Sequence, residues 1–224
     1  MLFKINGERN SGTNFLTKLL ISNKFPVYVQ EKKKRVCFHW KHGVPDGSVK
    51  QKDNCVVDIF IFRKLDDWLV SCWKNPYHLK RFQNFKNFLS EKQKSREKVL
   101  LDSRTNRILN EDDNNKNIFE IRYYKFNKIL EYKEKYKNVI FVNLNFLQNN
   151  ENAVYFLNIL NEKYMKRESI KYISTIEKHT KSKQSTLKNR EYTVNVSDYY
   201  NDINKYKNNE IETIIDNIQF EIYE

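Results

Sequence analysis

The chain has 224 residues, 39% of them hydrophobic, and 41 lysines and arginines against 28 aspartates and glutamates give it a formal charge of +13. That length and apolar content suit one well-buried globular domain over residues 1–224 and exclude a disordered chain. No apolar run is long enough to span a bilayer, "MLFKINGERN" is too polar for a secretory signal, and the positive excess suits an anionic partner.

From the start, "LFKIN" (Leu2–Asn6) alternates as a short strand and runs into "GERNSGTN". Gly7 and Gly12 stand five apart, as in the nucleotide-binding pattern G-x-x-x-x-G-K-[ST], but Thr13 occupies the lysine position and Asn14 follows it. Phe15, Leu16, Leu19 and Leu20 fall at helical spacing, so the loop opens a helix. A strand, a glycine turn and a helix N-terminus make an anion site, because uncommitted N–H groups converge where the helix carries about half a positive charge. The chain has only four glycines, Gly7, Gly12, Gly43 and Gly47, which marks these two loops as places needing backbone freedom.

"RVCFHW" (35–40) reads as a second strand, and "VVDIFIF" (Val56–Phe62), continuously apolar except for Asp58, as a strand covered on both faces. Asp66 or Asp67 is the expected cap of a helix over "DWLVSCWK", and "LKRFQNFKNFLSE" is a second helical piece with Leu79, Phe82, Phe85 and Leu89 on one face. After the polar "NEDDNNKN" come a helix over "IFEIRYYKFNKILEYKEKY", a strand over Asn138–Leu144 and a helix over "NAVYFLNILNEKY". In the first of these helices Phe126, Ile129 and Leu130 read as core contacts and the lysines as a solvated face. Residues from about 170 to 224 are basic and less regular, closing on a helix over "EIETIIDNI". Strands alternating with helices predict an α/β domain of three layers whose mainly parallel central sheet is flanked by helices, and the resemblance of the glycine loop to a P-loop implies a P-loop-like fold. Cys37, Cys55 and Cys72 fit no metal spacing and read as buried thiols of a reducing compartment, so the expected location is cytoplasmic and no metal site is expected.

"RNSGTNFLTKLL" resembles the 5'-phosphosulfate loop of sulfotransferases that use 3'-phosphoadenosine 5'-phosphosulfate (PAPS), whose usual form is P-K-S-G-T-T-W-L. Ser11, Gly12, Thr13 and Leu16 match it, Phe15 replaces the tryptophan, and Asn10 stands at the lysine with Arg9 one place earlier. The family's second motif, R-x-P-x-D-x-x-x-S, is matched in "RKLDDWLVS" by Arg63, Asp67 and Ser71, with Leu65 for the proline. The resemblance implies a PAPS-dependent sulfotransferase in which Arg9, Asn10, Ser11, Gly12, Thr13 and Asn14 hold the phosphosulfate end and Arg63 and Ser71 hold the 3'-phosphate. It further implies that His42, twenty-one residues before Arg63, is the general base, with Lys41 beside it offsetting developing charge. His39, His78 and His179 are weaker choices for that role. The basic segment "KHTKSKQSTLKNR" is expected to cover the cofactor, with Lys188 or Arg190 near its 3'-phosphate.

Two other classes compete. A P-loop kinase would need the absent Gly-Lys-[Ser/Thr] and a metal-binding carboxylate, for which Asp58 is the nearest residue. A basic module without catalysis, either an inactive PAP-binding protein or a nucleic-acid binder, would use the lysines and aromatics of "RYYKFNKILEYKEKYK", although no nucleic-acid motif is present. The expected partner is therefore a small-molecule or glycan acceptor, anionic if the overall charge decides, rather than nucleic acid or a membrane.

Overall fold

The computed structural model describes residues 1–28, 55–75, 82–92, 116–168, 172–173 and 194–224. Strands β1 (Leu2–Gly7), β2 (Val56–Phe62) and β3 (Val139–Asn143) run parallel, and β4 (Phe220–Tyr223) pairs antiparallel with β3, in the order β1-β2-β3-β4. The helices, in chain order, are α1 (Thr13–Ser22), α2 (Leu65–Lys74), α3 (Phe85–Ser90), α4 (Ile118–Lys135), α5 (Leu144–Leu147), α6 (Asn150–Leu160), α7 (Tyr200–Asn204) and α8 (Asn209–Asn217).

Alternation along the strands sends side chains to two faces. Ile5, Ile59, Ile140 and Ile222 lie in register across the sheet, and with Phe3, Val57 and Ile61 they face α1 and α6. Phe60, Phe62, Val139 and Phe141 point the other way, against Phe126, Ile129 and Tyr132 of α4 and Ile211 and Ile215 of α8. A third aromatic cluster, around Trp73, Phe85 and Phe88, joins α2 and α3 to the start of α4. The protein is thus α/β, with helices packed on both faces of an open, mostly parallel sheet. No described helix is long and apolar enough to cross a membrane.

Chain direction matters for the site. After α1 the backbone returns along the outer edge of β1, where Phe3 bridges Val27 in parallel and Tyr28 N–H donates to the Phe3 carbonyl at 2.8 Å. The next strand described, β2, lies on the other side of β1. Connections therefore leave β1 and β2 in opposite senses, and the crevice at their C-terminal ends is where open α/β sheets bind ligands.

Several expectations change in detail. Helix α2 starts at Leu65 with Lys64 at its N-cap, so Asp66 and Asp67 lie in its first turn and neither caps it. Their carboxylates are engaged elsewhere, by Tyr200 and Asn145. Helix α3 is shorter than its apolar spacing suggests: the Asn84 side chain caps it by accepting from Asn87 N–H at 2.8 Å, so buried Phe82 precedes the helix. Leu79 and "RVCFHW" lie outside the described residues. Cys72 is buried as expected, but Cys55 is exposed in the turn before β2, and Cys37 is not among the described residues. The segment 194–224 is more ordered than its composition implies, since β4 completes the sheet.

Phe141 sits at the centre of the α4 face, edge-on to Phe62 at 5.2 Å and Tyr223 at 5.0 Å. Phe141→Ala should lower the unfolding free energy by about 3–5 kcal/mol through the cavity it leaves, read as a reduced urea midpoint with an unchanged slope.

Candidate functional site

The loop from Glu8 to Gly12 makes its turn with two left-handed residues, Asn10 at φ 61° and Gly12 at φ 106°. A side chain at Gly12 would be strained by that φ and would also press on Leu144, whose Cδ1 stands 2.8 Å from the position of a Cβ. At Gly7 a Cβ would lie 2.6 Å from the Ser11 Oγ and 2.7 Å from the Ile61 carbonyl. Both glycines thus let the loop fold down onto the ends of β2 and β3. Gly12 offers no side-chain cap to α1, and no acidic residue occupies the helix's first turn. The amide end of α1 keeps the electropositive character that an anion would use.

Within the loop, the expected contact residues divide. The Ser11 hydroxyl turns inward and donates to the Glu8 carbonyl at 2.7 Å, so it stabilises the turn. The Asn10 side chain turns toward α2, where its Nδ2 donates to the Asn75 carbonyl at 3.3 Å and contacts the Cys72 sulfur at 3.4 Å. Arg9 and Thr13 are buried, whereas Asn14 is exposed on the first turn of α1.

Arg63 follows β2 at the same end of the sheet. Its Nη1 donates to the Asn10 carbonyl at 3.2 Å, while its Nε is buried without a hydrogen-bond partner among the described residues. Two sequence motifs 53 residues apart are therefore in direct contact. Helix α2 reinforces the junction: Trp68 Nε1 donates to the Arg9 carbonyl at 2.8 Å, and half-buried Ser71 immediately precedes Cys72. Burial pushes the Cys72 thiol up to about 12, so it is a packing group here.

Beneath the loop lies a buried charge network that the motifs did not announce. Arg122 of α4 is fully buried and donates from Nη1 to Glu8 at 2.6 Å, from Nε to Glu212 at 2.8 Å and from Nη2 to the Arg63 carbonyl at 2.9 Å. Its guanidinium also lies over the Trp68 ring, 4.7 Å from the centroid. Burial raises the Glu8 pKa, against the lowering field of Arg122 and Lys125. Lys125 is buried too, contrary to the solvated face expected for the lysines of this helix. Positions 118, 122, 125, 126 and 129 all fall on the buried stripe of α4. Two cations inside an otherwise apolar helical stripe were the signal available in the sequence. Asp58 is likewise committed: it accepts from Asn6 at 2.9 Å and Tyr132 at 2.8 Å and pairs with Lys4 at 3.8 Å.

Two clefts open beside this junction. One, of about 230 Å³, is lined by residues that include Lys64, Asn145 and Asp216; the other, of about 410 Å³, includes Lys64, Asp66, Asp67 and Lys207. Lys41 and His42 lie outside the described residues, as do His39, His78, His179, Lys188 and Arg190. A scan against protein-family models, a search of curated proteins and a search of solved structures each returned no match.

Burial lowers the Lys125 pKa from 10.5 to about 8. Above pH 8 the unfolded chain then binds more protons at this position than the folded one, so its contribution to the unfolding free energy should rise with pH. Between pH 8 and the ordinary thiol value of 9.0, where Cys72 begins to act oppositely, Lys125→Met should show a flatter stability profile than the parent in urea titrations.

Proposed function

We propose that the protein transfers a sulfuryl group from PAPS to a hydroxyl or amine acceptor, on a P-loop-like fold. The observation that carries this reading is the Arg63 to Asn10 contact at 3.2 Å, which joins the two resembling motifs at the β1–β2 crevice. The residues fit an adenosine bisphosphate: the α1 amide end has no side-chain cap, and half-buried Arg63 stands at the loop with its guanidinium Nε lacking an acceptor among the described residues.

In this reading the amides of Gly12, Thr13 and Asn14 bind the phosphosulfate end, with Arg9 as the nearby cation. Arg63 binds the 3'-phosphate through its planar fork, and Ser71 adds a hydroxyl donor. Ser11 acts through the loop's shape, because its hydroxyl is used by Glu8. PAPS supplies the sulfuryl group and a nucleotide leaving group. His42 takes the acceptor's proton at an imidazole nitrogen, a role worth roughly 10²- to 10⁴-fold in rate. Lys41 offsets negative charge on the transferring oxygens.

The kinase reading is less well supported, since Asp58 is fully buried and its carboxylate is shared among Asn6, Tyr132 and Lys4. It is not placed to hold a metal at the strand's end.

PAP, the desulfated nucleotide, should raise the melting temperature, by the equivalent of about 2.7 kcal/mol at a hundred times its Kd. ATP with Mg²⁺ should not, and the reverse pattern would favour the kinase. Arg63→Ala should abolish the PAP shift. His42→Ala should keep the shift and lose transfer of label from PAPS; full retention of transfer would remove His42 from the role of base.

A further inference from the structure

The two edges of the sheet are finished differently. Along the outer edge of β1 the chain after α1 supplies cover: Phe3 N–H donates to the Pro26 carbonyl at 2.8 Å, and Tyr28 N–H donates to the Phe3 carbonyl at 2.8 Å. The opposite edge is β4, last in the strand order and paired with β3. Asn143 N–H donates to the Gln219 carbonyl at 3.0 Å. Alternation along the ladder therefore turns the bonding groups of Gln219, Glu221 and Tyr223 toward β3, and those of Phe220 and Ile222 outward. The outward groups make no hydrogen bond among the described residues. "FEIY" carries neither lysine nor proline, the residues that blunt an exposed edge, and all four of its members are half-buried.

The side chains around this edge are equally open to a partner. Tyr155 of α6, 55% exposed, is the most exposed large hydrophobic among the described residues, and its ring meets that of Phe220 edge-on at 6.3 Å. Phe220 and Ile222 lie on the α6 face. On the α4 face the Lys133 Nζ stands over the Tyr223 ring, 4.4 Å from its centroid, and the Tyr223 hydroxyl donates to Glu221. The edge thus offers outward backbone groups, an aromatic strip on one face, and a cation and a carboxylate on the other.

We infer that β4 pairs antiparallel with β4 of a second copy, about a two-fold axis at Ile222, joining the two sheets into one. Symmetry fixes the register. An axis perpendicular to the sheet keeps each face on its own side, so residues that meet across it must share a face. With the axis at Ile222, each Ile222 exchanges both backbone bonds with its twin, as in a bonded antiparallel pair. Glu221 then lies opposite Tyr223 of the other copy, which brings its carboxylate to the Lys133 that stands on that ring. Moving the axis one residue, to Glu221, would set two like charges opposite each other. An unrelated extended peptide would satisfy the backbone groups alone, whereas the reciprocal charge match belongs to the chain's own strand. The two-fold arrangement also covers both open edges and leaves none for further growth. Because the axis reverses strand direction, the two β1–β2 crevices open toward opposite ends of the joined sheet. Neither the register nor the charge match depends on the reaction assigned to those crevices.

Sedimentation velocity on the full chain, at concentrations up to about 100 µM where weak self-association is measurable, should show a monomer giving way to a species of twice its mass. Over the same range the Phe220 and Ile222 amides should gain protection from hydrogen exchange, while the Glu221 amide, already bonded to β3, should not change. Ile222→Pro deletes an outward N–H, which an edge strand tolerates; it should abolish the dimer while the Glu221 amide stays protected. Glu221→Lys should weaken dimerisation by about 10-fold, because two exposed ion pairs become two repulsions. Combining it with Lys133→Glu should restore the dimer, and this charge exchange carries the test should Ile222→Pro fail to fold. A monomer throughout the range, or a dimer that survives both single substitutions, would overturn the inference. So would Phe220 and Ile222 amides already protected in the monomer, since the chain itself would then cover the edge.

Discussion

One guanidinium holds the site together. Arg122 reaches from the middle of the sheet's helical cover to the loop after β1, the carbonyl after β2 and a carboxylate on α8. With Trp68 stacked against its plane, it fixes four elements relative to one another. A buried charge is tolerable only when its hydrogen bonds are met, and removing one member of such a set strands the others at a cost of about 3–5 kcal/mol. Glu8 makes the arrangement necessary. A carboxylate directly below the glycine turn needs a buried cation to neutralise it, and Arg122 with Lys125 does that from below. The loop's own amides and Arg63 can then face outward with their positive character intact.

The electrostatics of the domain are therefore layered. Overall charge is strongly positive, the loop is balanced by buried partners, and the neighbouring clefts have carboxylate-rich rims. Summed charge describes long-range attraction, but contact chemistry is set within a few ångströms. The acidic first turn of α2 illustrates this: Asp66 and Asp67 complement the helix dipole while their oxygens engage Tyr200 and Asn145 across the cleft.

The alternation of "VVDIFIF" and the helical spacing of Leu16, Leu19 and Leu20 made the layered α/β arrangement legible, because both patterns follow from burial alone. The glycine loop was legible for a similar reason, since Gly7 and Gly12 meet neighbours that leave no room for a side chain. What the motifs could not convey was the direction of short polar side chains. Ser11 and Asn10 occupy the expected positions but spend their hydrogen bonds inside the protein, a choice fixed by the local turn and by α2. The Arg122 network was hidden because its members are 114 and 90 residues apart. Only the cation within an apolar stripe hinted at it. Strand β4 was missed because its four residues are all half-buried, giving an edge strand too little contrast between faces.

The Arg122 to Glu212 pair also bears on how the loop is assembled during synthesis. Glu8 and Arg122 can meet once α4 has emerged from the ribosome, but Glu212 follows Arg122 by 90 residues. Until it arrives, the guanidinium lacks its second carboxylate and β3 its antiparallel neighbour. The glycine-loop scaffold is thus completed only when translation has passed α8 and β4, and a nascent chain halted before them would expose one flank of β3 and leave Arg122 with one of its two carboxylates.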